Sequence, residues 1–181
     1  MLTKLGVLLT SSCQLRCDYC YVHHKEDRLS ALAFRKGLRH FLVHLDQLGV
    51  PRPSAKISFL GGEPLLNWAA LKPILRQVAL LDSHPSMHIT TNGLLLTPSK
   101  YAILKKYKVQ IGLSLDGLPR AHDTHRKRGR RASFGQVMAR LSGIPDRESL
   151  SVQMVVSPDN VGELAKGYRF VRSLGVGEVD F

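Results

Sequence analysis

Cys13, Cys17 and Cys20 are the only cysteines in the chain, spaced C-x3-C-x2-C directly after an apolar run from Leu5 to Leu9. A disulfide framework needs an even number of cysteines spread over a secreted domain, and this odd trio sits in one loop. Structural zinc needs four protein ligands, so a zinc reading has to recruit His23 or His24 at a spacing unlike the usual pairs. Three thiolates suit a four-iron cluster, which they hold while leaving one iron open to a ligand from outside the protein. The open-iron reading fits best, with zinc as the alternative.

Further polar or glycine-rich stretches occur at intervals: Gly61-Gly62-Glu63-Pro64, Thr91-Asn92-Gly93, Ser114 to Gly117 and Ser157 to Asn160. In the first, two glycines let backbone approach closely, the proline restrains the chain at its end, and the Glu63 carboxylate can accept from an ammonium group. Ser114 and Asp116 offer short groups able to bond hydroxyls, although Asp-Gly is also a common turn. Thr91-Asn92-Gly93 carries the same ambiguity.

The elements that must position these motifs form a strand-then-helix series. Apolar runs predict strands over Leu5–Thr10, Lys56–Leu60, Met87–Thr90, Val109–Leu115, Leu150–Val156 and Glu178–Phe181. The first helix is expected from a Ser30 cap to Gly49, with Phe34, Leu38, Phe41, Leu42, Leu45 and Leu48 recurring at helical spacing. A second is expected to make one turn from Asn67, restart near Lys72 because Pro73 suits a first turn, and end near Asp82. Thr97-Pro98 opens a third and Ser133 caps another. Asn160 with Glu163 makes a capping box for the last. Six strands alternating with helices argue an α/β fold with a parallel sheet and right-handed crossovers. Every motif then comes directly after a strand, so all of them meet on one rim, where such folds bind ligands.

The 181 residues amount to one domain, 1–181, with enough apolar content for a core. The apolar run before Cys13 is too short for a signal peptide, and no stretch approaches a membrane span, so a cytoplasmic protein with reduced thiols and no membrane partner is expected. Net charge is +12, from 26 Lys and Arg against 14 Asp and Glu, which favours acidic partners. Arg120, Arg126, Lys127, Arg128, Arg130 and Arg131 concentrate that charge in a stretch read as a loop, where nucleic acid is a candidate partner.

Cys13-Gln-Leu-Arg-Cys17-Asp-Tyr19-Cys20 resembles the signature of the radical SAM enzymes. The order CxxxCxxCY, SFLGGEPLL, TTNG, SLDG is most similar to the SPASM type, which includes the anaerobic sulfatase-maturating enzymes. The resemblance runs from Leu5 to Phe181 and implies a six-stranded partial (β/α) barrel. It implies a [4Fe-4S] cluster on the three cysteines and S-adenosyl-L-methionine as cofactor, cleaved reductively to a deoxyadenosyl radical that abstracts hydrogen from a peptide or protein. By the same resemblance Gly61, Gly62, Glu63 and Pro64 hold the methionine amino group, Ser114 and Asp116 reach the ribose, and Thr91 and Asn92 are further candidates for cofactor binding. Tyr19 lies near the adenine through its backbone, Val155 and Val156 pack there, and Arg126 is the candidate for the methionine carboxylate. A reductase, flavodoxin or ferredoxin would supply the electron.

The departures are as informative. Relatives of that type continue into a final helix and a cysteine-rich SPASM region, whereas this chain has no cysteine after Cys20 and stops at a predicted strand. A core without the final helix and without the SPASM domain is therefore expected, with a completing chain among its partners and an inactive metal-binding module as a rival. No catalytic acid or base is assigned. An RNA substrate is the alternative raised by the basic stretch.

Overall fold

A computed structural model describes residues 3–181. Its strands are β1 (Lys4–Leu8), β2 (Lys56–Leu60), β3 (Ser86–Thr91), β4 (Val109–Ser114), β5 (Leu150–Gln153) and β6 (Glu178–Asp180). They form one open sheet in sequence order, β1 to β6, and every neighbouring pair is parallel. Each crossover returns beside the strand it left, giving a partial (β/α) barrel.

Alternation along the strands gives the sheet two unlike faces. Val7, Ile57, Phe59, Ile89, Ile111 and Val152 are buried on the face that packs against the helices. Those helices are α1 (Ala31–Gln47), α2 (Trp68–Ala79), α3 (Pro98–Lys106), α4 (Pro119–His125), α5 (Phe134–Ser142) and α6 (Leu164–Ser173). The other face is polar and lines a cavity of ≈700 Å³.

Two helix starts agree with the expectation. Ser30 Oγ accepts from Ala33 N at 3.1 Å, and Thr97 Oγ1 accepts from Lys100 N at 3.3 Å. Gly49, at φ +63°, ends the turn after α1.

Others differ. The second helix does not restart at Lys72: α2 runs unbroken with Pro73 inside it, after a 3-10 turn over Pro64–Asn67. The carbonyl that Pro73 cannot bond belongs to Ala69, which is exposed and can take water instead. Ser133 caps nothing with its side chain, because Asp123 Oδ1 accepts from Ser133 N and Phe134 N at 2.8 and 2.9 Å. Asn160 and Glu163 make no capping box. Asn160 closes the turn after β5, accepting from Ser157 N and donating to Val155 O. The basic stretch is not wholly a loop either, since its first part is α4.

Candidate functional site

The loop after β1 carries the cysteines and is fastened from several directions. Ser11 N and Oγ both donate to the Asp27 carboxylate, Thr10 Oγ1 donates to Asp27 O, and Arg16 N donates to Lys127 O at 2.8 Å. Beneath it runs Gly61-Gly62, at the end of β2. A Cβ on Gly61 would stand 2.5 Å from the Thr10 carbonyl oxygen, and one on Gly62 would stand 2.5 Å from those of Ser11 and Ser12. Only glycine permits this crossing, where Gly62 N and Glu63 N donate to Thr10 O and Ser12 O at 2.9 and 2.8 Å.

A cleft of ≈310 Å³ opens on this rim, lined by Cys13, Cys17 and Cys20 together with Tyr19, Gly61, Gly62, Thr91, Asn92, Ser114, Arg126 and Val155. The strand-end motifs thus meet as the topology requires. The residues not foreseen there include Tyr21 and Val22, which come after the last cysteine, and Thr90. Alternation along β3 was the available signal for Thr90.

Several expected residues hold other posts. Glu63 was expected to meet an ammonium group, but it is fully buried beneath the rim. Its Oε1 accepts from Leu65 N and Thr91 Oγ1, and its Oε2 from Asn92 N. Burial pushes its carboxyl up while those three donors, and Lys100 at longer range, pull against it. Pro64 is buried at the start of the 3-10 turn and does not line the cleft. Thr91 has given its hydroxyl to Glu63. Asn92 Nδ2 lies 3.6 Å from Cys13 Sγ, and Leu15 N donates to the same sulfur at 3.3 Å. Ser114 lines the cleft and is half-buried.

Asp116 and Arg126 are engaged with each other, and of the two only Arg126 lines the cleft. Asp116 is 1% exposed and lies outside the cleft lining, taking Arg126 Nε at 2.8 Å, Arg126 Nη2 at 2.9 Å, the Tyr19 hydroxyl and Val155 N at 3.0 Å. Burial alone would raise its carboxyl, but Arg126 and then Tyr19 and Val155 outweigh burial and hold it below the usual carboxylate range. The Arg126 guanidinium also lies over the Tyr19 ring, 5.3 Å from its centroid. Both charges are thus occupied inside the protein, and Arg126 leaves the surface basic cluster. What remains exposed there is Arg120 on α4 and Arg128, Arg130 and Arg131 on a tight turn.

His122 explains how this corner is held. It is wholly buried, its Nδ1 accepts from Asp116 N at 3.4 Å and its Nε2 meets Ser133 Oγ at 3.0 Å. Burial first, and Arg126 second, lower its pKa to about 4.

The thiols suit a cluster better than a single ion. Among the described residues no trio of His, Cys, Asp or Glu is gathered tightly enough to hold one metal ion, and His24 Nδ1 already meets Ser11 O at 3.1 Å. The zinc alternative therefore finds no support in this geometry. The three sulfurs nevertheless line one cleft and feel one another's charge. N–H donors on Cys13 Sγ are the kind that stabilise cluster thiolates. Burial pushes the Cys17 thiol up to about 11 against the pull of Arg126, and raises Cys13 as well, so ligation has to displace those protons.

Known proteins share this fold. Solved structures of similar fold include an anaerobic sulfatase-maturating enzyme, anSMEcpe with bound AdoMet and a Cp18Cys peptide. It superposes with a TM-score of 0.78 at 21% identity, over 97% of this chain and 49% of that one. Curated relatives include the GTP 3',8-cyclase of Streptomyces coelicolor, 32% identical over 84% of this chain and 45% of its own length. An uncharacterized protein of Methanocaldococcus jannaschii is 26% identical over 96% of this chain and 59% of its own. The chain thus spans about half the length of the relatives it matches. Residues 7–171 match the family model described as the Radical SAM superfamily. That match takes in the end of β1, the cysteine loop and strands β2 to β5, and by it the chain belongs to the radical SAM superfamily, enzymes that use a [4Fe-4S] cluster and S-adenosylmethionine.

Proposed function

We propose that this chain is the core of a radical-initiating enzyme acting on a peptide or protein. Cys13, Cys17 and Cys20 hold the cluster, and the cleft wall of Gly61, Gly62 and Ser114 holds S-adenosylmethionine. The observation that carries this reading is one cleft lined by all three thiols, by the close-packed glycine pair and by the ends of β3 and β4. When bound, the cluster and cofactor supply a carbon-centred radical that removes hydrogen from substrate.

The chain's own residues orient and shield. Leu15 N and Asn92 Nδ2 steady Cys13 Sγ, and the Tyr19–Asp116–Arg126 group fixes the loop between Cys17 and Cys20. Glu63 acts as a buried brace between the β2 and β3 ends, so its part in cofactor binding is to set the backbone at Leu65 and Asn92 and to hold the Thr91 hydroxyl. Arg126, already committed to Asp116, acts as a fixed positive charge near Cys17. An external reductase, flavodoxin or ferredoxin supplies the electron. The peptide-bound neighbour supports the substrate class by analogy of fold. The GTP 3',8-cyclases among the relatives favour a second reading, a phosphorylated small molecule.

The test is anaerobic reconstitution with iron and sulfide, then EPR of the reduced protein with and without S-adenosylmethionine. A four-iron signal that changes on adding cofactor and is absent in Cys17→Ala supports the reading. Uptake of zinc instead, or a folded protein that forms no cluster, overturns it.

A further inference from the structure

The rim cleft adjoins the larger cavity, and Tyr21, Leu60 and Thr90 line both. In closed barrels of parallel strands the inward side chains are bulky and branched and fill the interior. Here the inward face is polar, and its charge is divided. Lys4 and Lys56 lie on β1 and β2, while Glu148, Glu178 and Asp180 line the cavity from the β5 and β6 side.

We propose that Lys4, Lys56, Ser58 and His88 form an oxyanion subsite that takes a phosphate or carboxylate group of the substrate. Lys4 and Lys56 are direct register partners, a like-charge pair that opposes strand pairing unless a counter-charge joins it. Among the described residues neither lysine forms an ion pair. Ser58, two residues along β2, is 2% exposed, lines the same cavity, and its hydroxyl has no hydrogen-bond partner. A buried hydroxyl without a partner carries a desolvation cost that a bound oxyanion would relieve. His88 stands directly across from Ser58 on β3 and is half-buried. Burial, then Lys56 and Lys4, disfavour its charge, and Asp180 acts in the opposite sense. Two cations, a hydroxyl and an imidazole are thus turned to one space.

The acids on the far wall repel an anion, so the division of charge sets its direction as well as its place. Lys56 lies five residues before Gly61, or about 16 Å along an extended strand. The subsite therefore selects extended molecules whose reacting carbon lies at the thiol cleft and whose anionic group reaches the opposite end of the interior. That the ligand is the substrate rests on the function proposed above. The binding itself requires no cluster.

The experiment titrates the iron-free chain with inorganic pyrophosphate and, separately, with glutarate. It tracks the His88 ring by proton–nitrogen NMR, assigned through its loss in His88→Gln. A saturable His88 shift is expected, weakened at least about tenfold in Lys56→Met and Lys4→Met and less in Ser58→Ala. Lys56→Arg should retain binding, and Lys72→Met, on the exposed side of α2, should leave it unchanged. Preference for pyrophosphate identifies a phosphate ester, and preference for glutarate a carboxylate. No saturable shift with either probe, or equal weakening in Lys72→Met, overturns the subsite. Failure of the EPR test would leave this titration standing, so the two proposals fall separately.

Discussion

Arg126 meets Asp116 with two parallel hydrogen bonds, Nε to Oδ2 at 2.8 Å and Nη2 to Oδ1 at 2.9 Å, with both side chains buried. The pair joins the end of α4 to the end of β4, and through Tyr19 it reaches the cysteine loop. Removing one member leaves a buried charge alone, which costs about 3–5 kcal/mol. Arg126→Met should therefore lower the melting temperature by roughly 10 °C. A melt within a degree or two of the parent would show that the pair contributes little.

Acid should weaken the fold through His122. Its native pKa, about 4, lies below its ordinary 6.5, so between those values the unfolded chain binds more protons. The stability this group contributes is complete above about pH 6.5 and is lost as pH falls toward 4, on the order of 3 kcal/mol in all. Asp116, held below the usual carboxylate range, adds a loss of the same sign as pH falls through its own native pKa. Denaturant melts at pH 7.5 and 5 check this. A His122→Gln variant should show a shallower pH slope, and an unchanged slope would sink the assignment.

The iron-free thiols should differ in reactivity. Cys20 is exposed, whereas Cys17 is half-buried with its thiol pushed up to about 11. At pH 8 iodoacetamide should label Cys20 first and Cys17 last, because the thiolate is the nucleophile. Timed mass spectrometry reads the order, and equal rates would mean that the loop is open in solution.

Methyl groups test the crossing under the cysteine loop. Gly62→Ala places a Cβ against two backbone carbonyl oxygens, so the loop and the β2 end must separate. Loss of iron uptake and a stability loss of at least about 2 kcal/mol are expected. Gly135→Ala is the contrast, since a Cβ there meets nothing within 4 Å inside α5. It should stabilise by about 0.5–1 kcal/mol. Similar behaviour of the two variants would refute the close-approach account.

What was legible in the sequence was what is local. The cysteine spacing, the paired glycines and the Ser30 and Thr97 caps each lie within a few consecutive residues, and short apolar runs located all six strands. What was not legible depends on partners that only the fold brings together. Asp123 caps a helix ten residues later, Asp116 turns inward to meet Arg126, and Glu63 turns down to meet Thr91 and Asn92. α4 was hidden because Pro119–His125 carries no apolar stripe, only a buried histidine. Chemistry-bearing residue types were identified, but which of them face the cleft depends on rotamers and on burial that residue type alone does not encode.

The sheet's order has a consequence for synthesis. Because each strand lies beside the one made just before it, every newly completed strand–helix unit finds its docking edge already formed behind it. The molecule can assemble progressively from its N-terminus during translation, as domains commonly do. The thiol loop then gains its floor when β2 and Gly61-Gly62 arrive, but its Asp116–Arg126 side wall only after β4 and α4 emerge. Nascent chains of intermediate length would hold the three cysteines on a half-built platform, so productive iron loading belongs after that interval rather than within it.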